Sequence, residues 1–402
     1  MRGRSAAPAW RWPSDRAWLR KASASRWRTD IADALVLGAG LAGSAAACLL
    51  ARGGANVLLL ERESRAHHKV CGEFLSVEAV AHLRQLGIDP AALGAAPIKR
   101  IRLLDGKMEV EAPLPFEALG LSRHALDEVL LSRAEAAGVK VERGVRVLEL
   151  GGGGVRTSHG SRTGHHVLLA TGKLPIREGN NSPPRRAANG FVGFKMHYRL
   201  APPATRRLAG TIVLALFEDG YAGLQMVEDG RANLCLVLRR SRLPFIGGDW
   251  NGVRRWLGEN PALRNLLADA EPLFERPVTI ANLAYGVPAH HGEDGAVLRL
   301  GDQWGMTASL TGDGMAIALR SAFLAARCVL AGDAGSYPAL IADEARRQVG
   351  RAMLLQNALQ RPWMRLGGLR LAQLCPPLLT FMAGMTRLPE WELSDEGSGV
   401  IA

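Results

Sequence analysis

Aromatic side chains are scarce in this 402-residue chain: Phe, Trp and Tyr together make up 5% of it. A surface that stacks nucleic-acid bases needs aromatics interleaved with basic residues, and no stretch beyond the first thirty residues offers that combination. A nucleic-acid partner is therefore excluded, in spite of a formal charge of +12. Half of that charge is local, because residues 1–30 hold eight Arg and Lys against two Asp. Cysteines are few and scattered (Cys48, Cys71, Cys235, Cys328, Cys375), their number is odd, and no C-x-x-C occurs. This excludes a disulfide framework and a zinc site, and fits a reducing cytoplasm. The histidine pairs His67-His68, His165-His166 and His290-His291 have no third partner at metal-ligand spacing, so no metal is expected. No Ser-His-Asp arrangement stands out. The N-terminus has neither the apolar core of a secretion signal nor a twin Arg. Long hydrophobic runs are also missing. The most apolar stretch, LGGLRLAQLCPPLLTFMAGM at 366–385, is broken by Arg370, Gln373 and two prolines, whereas a spanning helix needs about 20 predominantly apolar residues. It reads as a buried C-terminal helix pair, with a membrane-facing surface as the alternative.

What is present is concentrated in residues 34–61. The apolar run Ala34 to Leu37 reads as a buried strand that enters Gly38-Ala39-Gly40-Leu41-Ala42-Gly43, a full G-x-G-x-x-G. An Ala/Leu-rich helix follows to Arg52 and stops at Gly53-Gly54, and a second strand, Val57 to Leu60, ends on Glu61 and Arg62. Gly38 allows the tight turn, Gly40 lets a pyrophosphate approach the backbone, and Gly43 lets helix and strand pack closely. The helix N-terminus turns free N–H groups toward the phosphates. Glu61 sits where a carboxylate accepts hydrogen bonds from a ribose hydroxyl. Strand, loop, helix and terminal acid together point to dinucleotide binding.

Residues 1–32 read as a disordered basic extension; the four tryptophans among its arginines also suit an interfacial arm. A helix capped by Ser76 runs to Leu86, short strands follow near 98–104 and 107–112, and Ser122 caps a helix through Ala137. Strands come next at 139–142, 145–150 and 155–158, and His166 to Ala170 forms a buried strand. GNNSPPRRAA at 179–188 is a loop and a junction. From 191 to about 285 the pattern is mostly strands (192–200, 211–217, 221–227, 231–239) with a helical insert at 249–269. Val297 to Leu300 returns to a buried strand, Met315 to Leu330 is a long helix, and 339–385 is mainly helical. The expected fold is α/β. A Rossmann-type nucleotide domain (33–185 and 289–335) is interleaved with a mainly antiparallel β-sheet substrate domain (186–288), and a helical region (336–402) follows.

Three segments narrow the nucleotide. LSRHALDEVLLSRA (121–134) resembles the Arg-x-x-Leu-Asp-x-x-Leu segment of flavoproteins related to p-hydroxybenzoate hydroxylase, in which the arginine, here Arg123, meets FAD. LLATGK (168–173) matches the Ala170-Thr171-Gly172 strand end that passes the cofactor in that group. LRLGDQWGMTASLTGDGMAIALRSA (298–322) holds Gly301-Asp302, which resembles the motif whose carboxylate binds the ribityl chain. It also holds Thr311-Gly312-Asp313-Gly314-Met315, which leads into a helix whose N-terminus would face the flavin's N1–C2 edge and stabilise reduced flavin. The order of these motifs spans residues 34–330 and resembles FAD-dependent oxidoreductases of the p-hydroxybenzoate hydroxylase and geranylgeranyl reductase superfamily. Within it, Lys69-Val70-Cys71-Gly72-Glu73-Phe74-Leu75-Ser76 resembles the Lys-x-Cys-Gly stretch of the geranylgeranyl reductase and FixC-like branch, where it lies beside the flavin ring. Cys71 is accordingly a candidate for a chemical role as well as for cofactor contact, with small-residue packing as the alternative.

The chain also departs from these relatives. The Asp-Gly pair of aromatic hydroxylases is replaced by Thr171-Gly172-Lys173, which disfavours direct reduction by NADPH. The Trp-x-Trp-x-Ile-Pro motif of flavin halogenases is absent. The aromatic-rich stretch of prenyl reductases is replaced by Tyr221-Ala222-Gly223-Leu224-Gln225-Met226. The resemblance implies a monooxygenase-type FAD oxidoreductase, with prenyl double-bond reduction and FixC-like electron transfer as alternatives. NAD(P)H or a reductase or electron-transfer partner would supply electrons. Scarce charge in the platform strands suggests a bulky apolar substrate: a polyketide, quinone or isoprenoid. The expected location is cytoplasmic, with peripheral membrane contact.

Overall fold

The computed structural model describes residues 31–151, 154–178, 190–283, 285–287, 297–385 and 387. Residues 1–30 of the expected 1–32 extension, the loop at 179–188 and His290-His291 lie outside the described residues; Ala32 already begins the first strand.

Two sheets organise the chain. The first contains β1 (Ala32–Leu37), β2 (Val57–Glu61), β6 (Lys140–Arg143), β7 (Val147–Gly151), β8 (Gly154–Thr157), β9 (Gly160–Leu169), β10 (Arg177–Glu178) and β17 (Val297–Arg299), in the order β10-β7-β8-β9-β1-β2-β6, with β17 also on β9. Its centre is parallel: β1 pairs β2 and β9, β2 pairs β6, and β9 pairs β17. Parallel strands covered on both faces need continuous apolar runs, which ALVL, VLLL and VLL supply. Helix α1 (Leu41–Arg52) crosses from β1 to β2 and packs between α3 (Arg123–Ala136) and α7 (Gly314–Leu330). Its alanines (Ala45, Ala46, Ala47) are fully buried, so these helices approach closely.

The second sheet contains β3 (Phe74–Leu75), β4 (Ala96–Asp105), β5 (Met108–Gly120), β11 (Phe191–Arg199), β12 (Gly210–Phe217), β13 (Gly220–Met226), β14 (Ala232–Arg239), β15 (Glu271–Pro272) and β16 (Val278–Leu283). Its order is β15-β11-β14-β13-β12-β4-β5-β3, with β16 on β11. The expected boundary at 186 is therefore crossed, because β3, β4 and β5 precede it in sequence yet extend the platform. One platform face is apolar: Phe194, Met196, Leu224, Leu234 and Leu236 bury against α5 (Trp250–Leu257) and α6 (Pro261–Leu266), the two helices of the expected insert. A short helix, α4 (Pro202–Leu208), closes that side. The alternation of strand side chains puts Gly193, Lys195 and His197 on the opposite face, in register with Val237, Cys235 and Asn233 of β14 and with Tyr221, Gly223 and Gln225 of β13.

Ser122 caps α3 as expected, its Oγ accepting from the Ala125 N–H at 3.2 Å, and the chain leaves that helix at Gly138 with φ +96°. Ser76 precedes α2 (Val77–Gln85), but its side chain makes no capping bond. After α7 come α8 (Tyr337–Leu359), α9 (Pro362–Leu374) and α10 (Pro377–Met385). Arg365 donates to Asp105 at 2.7 Å and Thr380 to the Pro113 carbonyl at 2.8 Å, fastening α9 and α10 to β4 and β5. The 366–385 stretch is mainly helical but not buried as a whole: Leu369, Ala372 and Leu379 are buried, while Leu366, Leu371, Leu374, Phe381 and Met385 are exposed. No described helix is long and apolar enough to cross a membrane.

Candidate FAD site

The turn between β1 and α1 has the shape an anion seat requires. The first bond within α1 is from the Ser44 N–H to the Gly40 carbonyl at 2.9 Å, and Gly40 makes no side-chain cap. The N–H groups of Leu41, Ala42 and Gly43 thus precede the helical ladder and face outward from its positive end. A side chain at Gly43 would come within 1.9 Å of the Gly38 carbonyl, so only glycine permits this close packing. At Gly40 the nearest atoms to an added Cβ would be the Arg123 guanidinium at 3.4 Å and the Lys69 ammonium at 3.7 Å. Backbone donors, a helix N-terminus and two cations therefore converge on one spot, the donor set a pyrophosphate needs.

Both cations are held by one acid. Arg123 reaches Asp127 through two bonds, of 2.7 and 2.9 Å, and Lys69 donates to the same carboxylate at 2.8 Å. Burial would raise the Asp127 pKa, but Arg123 and Lys69 outweigh it and hold it below the usual carboxylate range. Burial likewise works against the Arg123 charge, yet Asp127, with Cys71 beside it, leaves the guanidinium more firmly protonated than usual.

The other expected cofactor residues gather around this turn. Glu61 accepts from the Ala39 N–H at 2.7 Å and the Glu63 N–H at 2.9 Å, which fixes its carboxylate at the end of β2. Arg62 is exposed and pairs only with neighbouring Glu63. Ala170 follows β9, donating its N–H to the Leu37 carbonyl at 2.9 Å, and Thr171 bonds the Leu174 carbonyl at 3.0 Å. An added Cβ at Gly301 would touch Ala42 at 3.5 Å, so the Gly-Asp turn abuts the start of α1. Asp302 pairs with Lys173 at 2.9 Å; burial alone would lower the Lys173 pKa, but Asp302 and Cys71 raise it. Gly312 lies against Phe74, and Gly314 and Met315 open α7. Asp313 differs: its carboxyl is fully buried, turned inward to Arg387 at 2.9 Å, and burial pushes its pKa up to about 7. Only its backbone is available to a cofactor.

The segment 69–76 joins this seat to the platform through a group that sequence reading missed. Glu73 is fully buried and has φ +59°, unusual for a side chain larger than glycine. Its carboxylate accepts from Lys195, from the backbone N–H of Arg123 at 2.7 Å, and lies 2.7 Å from His197 Nε2. Burial would raise its pKa; the bond from His197 and the charge of Lys195 hold it lowered. Asn233 donates to the Cys71 and Gly72 carbonyls at 3.1 and 2.8 Å, and Gln225 to the Glu73 carbonyl at 2.8 Å. An added Cβ at Gly193 would come within 2.9 Å of Val70, so only glycine lets the segment lie this close to β11. Cys71 is half-buried between the phosphate seat and the platform, its Sγ accepting from the Glu73 N–H at 3.4 Å.

The expectation that the platform carries little charge needs correction. Lys195 and His197 point at the site, but their charge and polarity are taken up by Glu73. Ligand atoms of His68, Glu73 and His197 lie within 4.8 Å of one another. Lys195 already supplies the positive charge there, and burial, with Lys195 nearby, lowers the His68 pKa to about 3. Beyond this group the face presents Cys235, Tyr221 and Tyr285. Burial raises all three pKa values, Cys235 and Tyr285 to about 12, so each keeps its proton at neutral pH. The Tyr285 hydroxyl bonds Ser309 at 3.1 Å.

Comparisons with known proteins agree with this geometry. Residues 31–167 match the family described as FAD binding domain. The menaquinone reductase of Mycobacterium tuberculosis is 36% identical over 124 residues, 30% of each chain. Digeranylgeranylglycerophospholipid reductase 2 of Methanopyrus kandleri is 27% identical over 302 residues, 70% of this chain and 73% of the relative. The FixC protein of Escherichia coli is 34% identical over 133 residues, 29% of this chain and 30% of the relative. The match thus spans about a third of the menaquinone reductase and FixC relatives. Among solved structures, a flavin-dependent brominase superposes with a TM-score of 0.70 at 17% identity, covering 88% of this chain and 93% of the other.

Proposed function

Starting from a chain that belongs to the FAD-binding flavoprotein superfamily of FixC and the geranylgeranyl reductases, we propose that this protein is an FAD-dependent oxidoreductase that reduces a carbon–carbon double bond in a bulky polyprenyl substrate. One observation carries the reading: segment 69–76 is clamped between the phosphate seat and the platform, so Cys71 stands at their junction. The seat fits FAD. Gly40 with Arg123 and Lys69 would hold the pyrophosphate, Glu61 the adenosine ribose, Asp302 the ribityl chain, and the start of α7 the flavin's pyrimidine edge. Bound and reduced, FAD supplies a hydride.

The chain's own groups supply the rest. The Lys195, His197, Asn233 and Gln225 side chains are tied to segment 69–76, which leaves an apolar wall with protonated Tyr221, Tyr285 and Cys235. These groups are neutral at rest, and one that gave its proton to the substrate carbon would be left as a phenolate or thiolate that must be reprotonated from solvent. Double-bond reduction is favoured over hydroxylation by the likeness to digeranylgeranylglycerophospholipid reductase 2, which extends over 70% of this chain, and to menaquinone reductase, over 30% of it. Electrons would come from a separate donor, since Lys173, paired with Asp302, stands where hydroxylases place an Asp-Gly pair. NAD(P)H alone should bleach the flavin slowly.

The test is run anaerobically, with a parallel sample opened to oxygen. FAD-loaded protein reduced with dithionite is mixed with polyprenyl quinones and polyprenyl lipids, and the products are read by mass spectrometry. A gain of two hydrogens in the polyprenyl chain, retained after any quinol is reoxidised in air, is the expected result. An oxygen-dependent gain of one oxygen atom would overturn it in favour of a monooxygenase, and flavin reoxidation only by a protein partner would favour electron transfer.

A further inference from the structure

The three C-terminal helices carry a surface that the flavin site does not use. Seven of the large hydrophobic side chains exposed among the described residues lie between 354 and 385. Trp363 is 70% exposed, Leu374 86% and Phe381 62%. Helical spacing places Trp363, Leu366, Arg370 and Leu374 along one stripe of α9, opposite the buried Arg365, Leu369 and Ala372. On α8, Arg347, Arg351 and Leu354 share a face by the same spacing. Arg351 donates to the Met385 carbonyl at 3.3 Å, which brings that face to the end of α10. Between α10 and β5 lies an open apolar groove of about 710 Å³, lined by Pro113, Pro115, Pro377, Phe381 and Met385.

The charge pattern over the same stretch is one-sided. Residues 345–389 hold seven arginines and no Asp, Glu or Lys, and the start of α8 adds exposed Asp343 and half-buried Glu344, the latter paired with Arg320. Five of the arginines (Arg346, Arg347, Arg351, Arg361, Arg370) are exposed. A second copy docked on this face would set arginines against arginines across a two-fold axis, which repels. An anionic bilayer does the reverse: guanidinium groups meet lipid phosphates while Trp363, Leu374 and Phe381 enter the headgroup and acyl boundary.

We infer that α8, α9 and α10 form a membrane-docking face that seats this protein on anionic bilayers with the apolar groove turned toward the lipid. The inference is independent of the reaction assigned to the flavin site. Its test is cosedimentation of the FAD-loaded full chain with vesicles of phosphatidylglycerol and phosphatidylcholine, beside vesicles of phosphatidylcholine alone, at low and high salt. Binding should require the anionic lipid and weaken as salt rises. The variant Trp363→Glu with Leu374→Glu should lower the partition coefficient by on the order of tenfold or more, and Arg361→Glu with Arg370→Glu should abolish the preference for anionic lipid. Both variants should keep their FAD and melting temperature, because all four side chains are exposed. The inference is overturned if the wild type fails to sediment with anionic vesicles, or if both variants bind as the wild type does. A concentration-dependent dimer in solution that the same substitutions dissolve would also overturn it.

Discussion

Glu73→Gln isolates the most consequential contact in the molecule. In the wild type one carboxylate, fully buried, takes Lys195, His197 and the first N–H of α3. The amide keeps the shape but removes the charge, so the Lys195 ammonium is left buried without a counter-ion. Breaking a buried pair from one side costs about 3–5 kcal/mol. At about 2 °C per kcal/mol for a chain of this length, the melting temperature should fall by about 6–10 °C. Adding Lys195→Met removes the stranded charge and replaces it with a side chain of similar length. The double variant should therefore recover part of the loss, a coupling of at least about 1 kcal/mol in a double-mutant cycle. Thermal unfolding followed by circular dichroism reads stability, and flavin fluorescence reads cofactor retention. Affinity for FAD should fall as well, since segment 69–76 carries Lys69 to the phosphate seat. A Glu73→Gln protein within about 1 kcal/mol of wild type, or a double variant no more stable than the single one, would refute the reasoning.

Three further outcomes follow from the same geometry. Gly40→Val should abolish FAD retention by driving methyl groups into the space under Arg123 and Lys69, and a variant that copurifies with stoichiometric flavin would refute the seat. Asp302→Ala should weaken FAD binding by about 1.5–3 kcal/mol in a fluorescence titration, the worth of a hydrogen bond to a charged group; unchanged affinity would refute the ribityl assignment. Burial raises the folded pKa of Asp313 to about 7, above the ordinary aspartate value of 3.8, so the unfolded chain releases its proton first and stability is lost as pH rises between those values. In Asp313→Asn that loss should be absent from melting curves taken from pH 4 to pH 8, and parallel curves for variant and wild type would refute it.

The strand, turn and helix proposed as the phosphate seat are legible because their demands are local: a turn that excludes side chains, a helix N-terminus and a terminal acid fall within one βαβ unit. Arg123, Asp302 and the start of α7 are candidates through their resemblance to family motifs, and the fold brings Arg123 and Gly301 to the turn after β1, although only the fold shows that Asp313 turns its carboxyl inward. Glu73, Lys195 and His197 escaped because the acid lies 122 and 124 positions from its partners, and each looks ordinary in its own segment. A signal was nonetheless present. In FVGFKMHYR, Gly193, Lys195 and His197 alternate with apolar residues, so one face of a buried strand carries two basic groups that need an acid. Lys69 and Asp127 were likewise visible as residues but not as a pair.

The seat for the nucleotide is written into the chain in pieces that emerge far apart during synthesis. The strand at 32–37 and its loop leave the ribosome early, Arg123 and the 160–169 strand later, and the Gly301-Asp302 turn with its helix only after residue 300. Until β17 arrives, the edge at Val167–Leu169 is an unpaired apolar template of the kind that seeds aggregation. The proposed seat is therefore complete only once residues beyond 300 have joined those near 40 and 123.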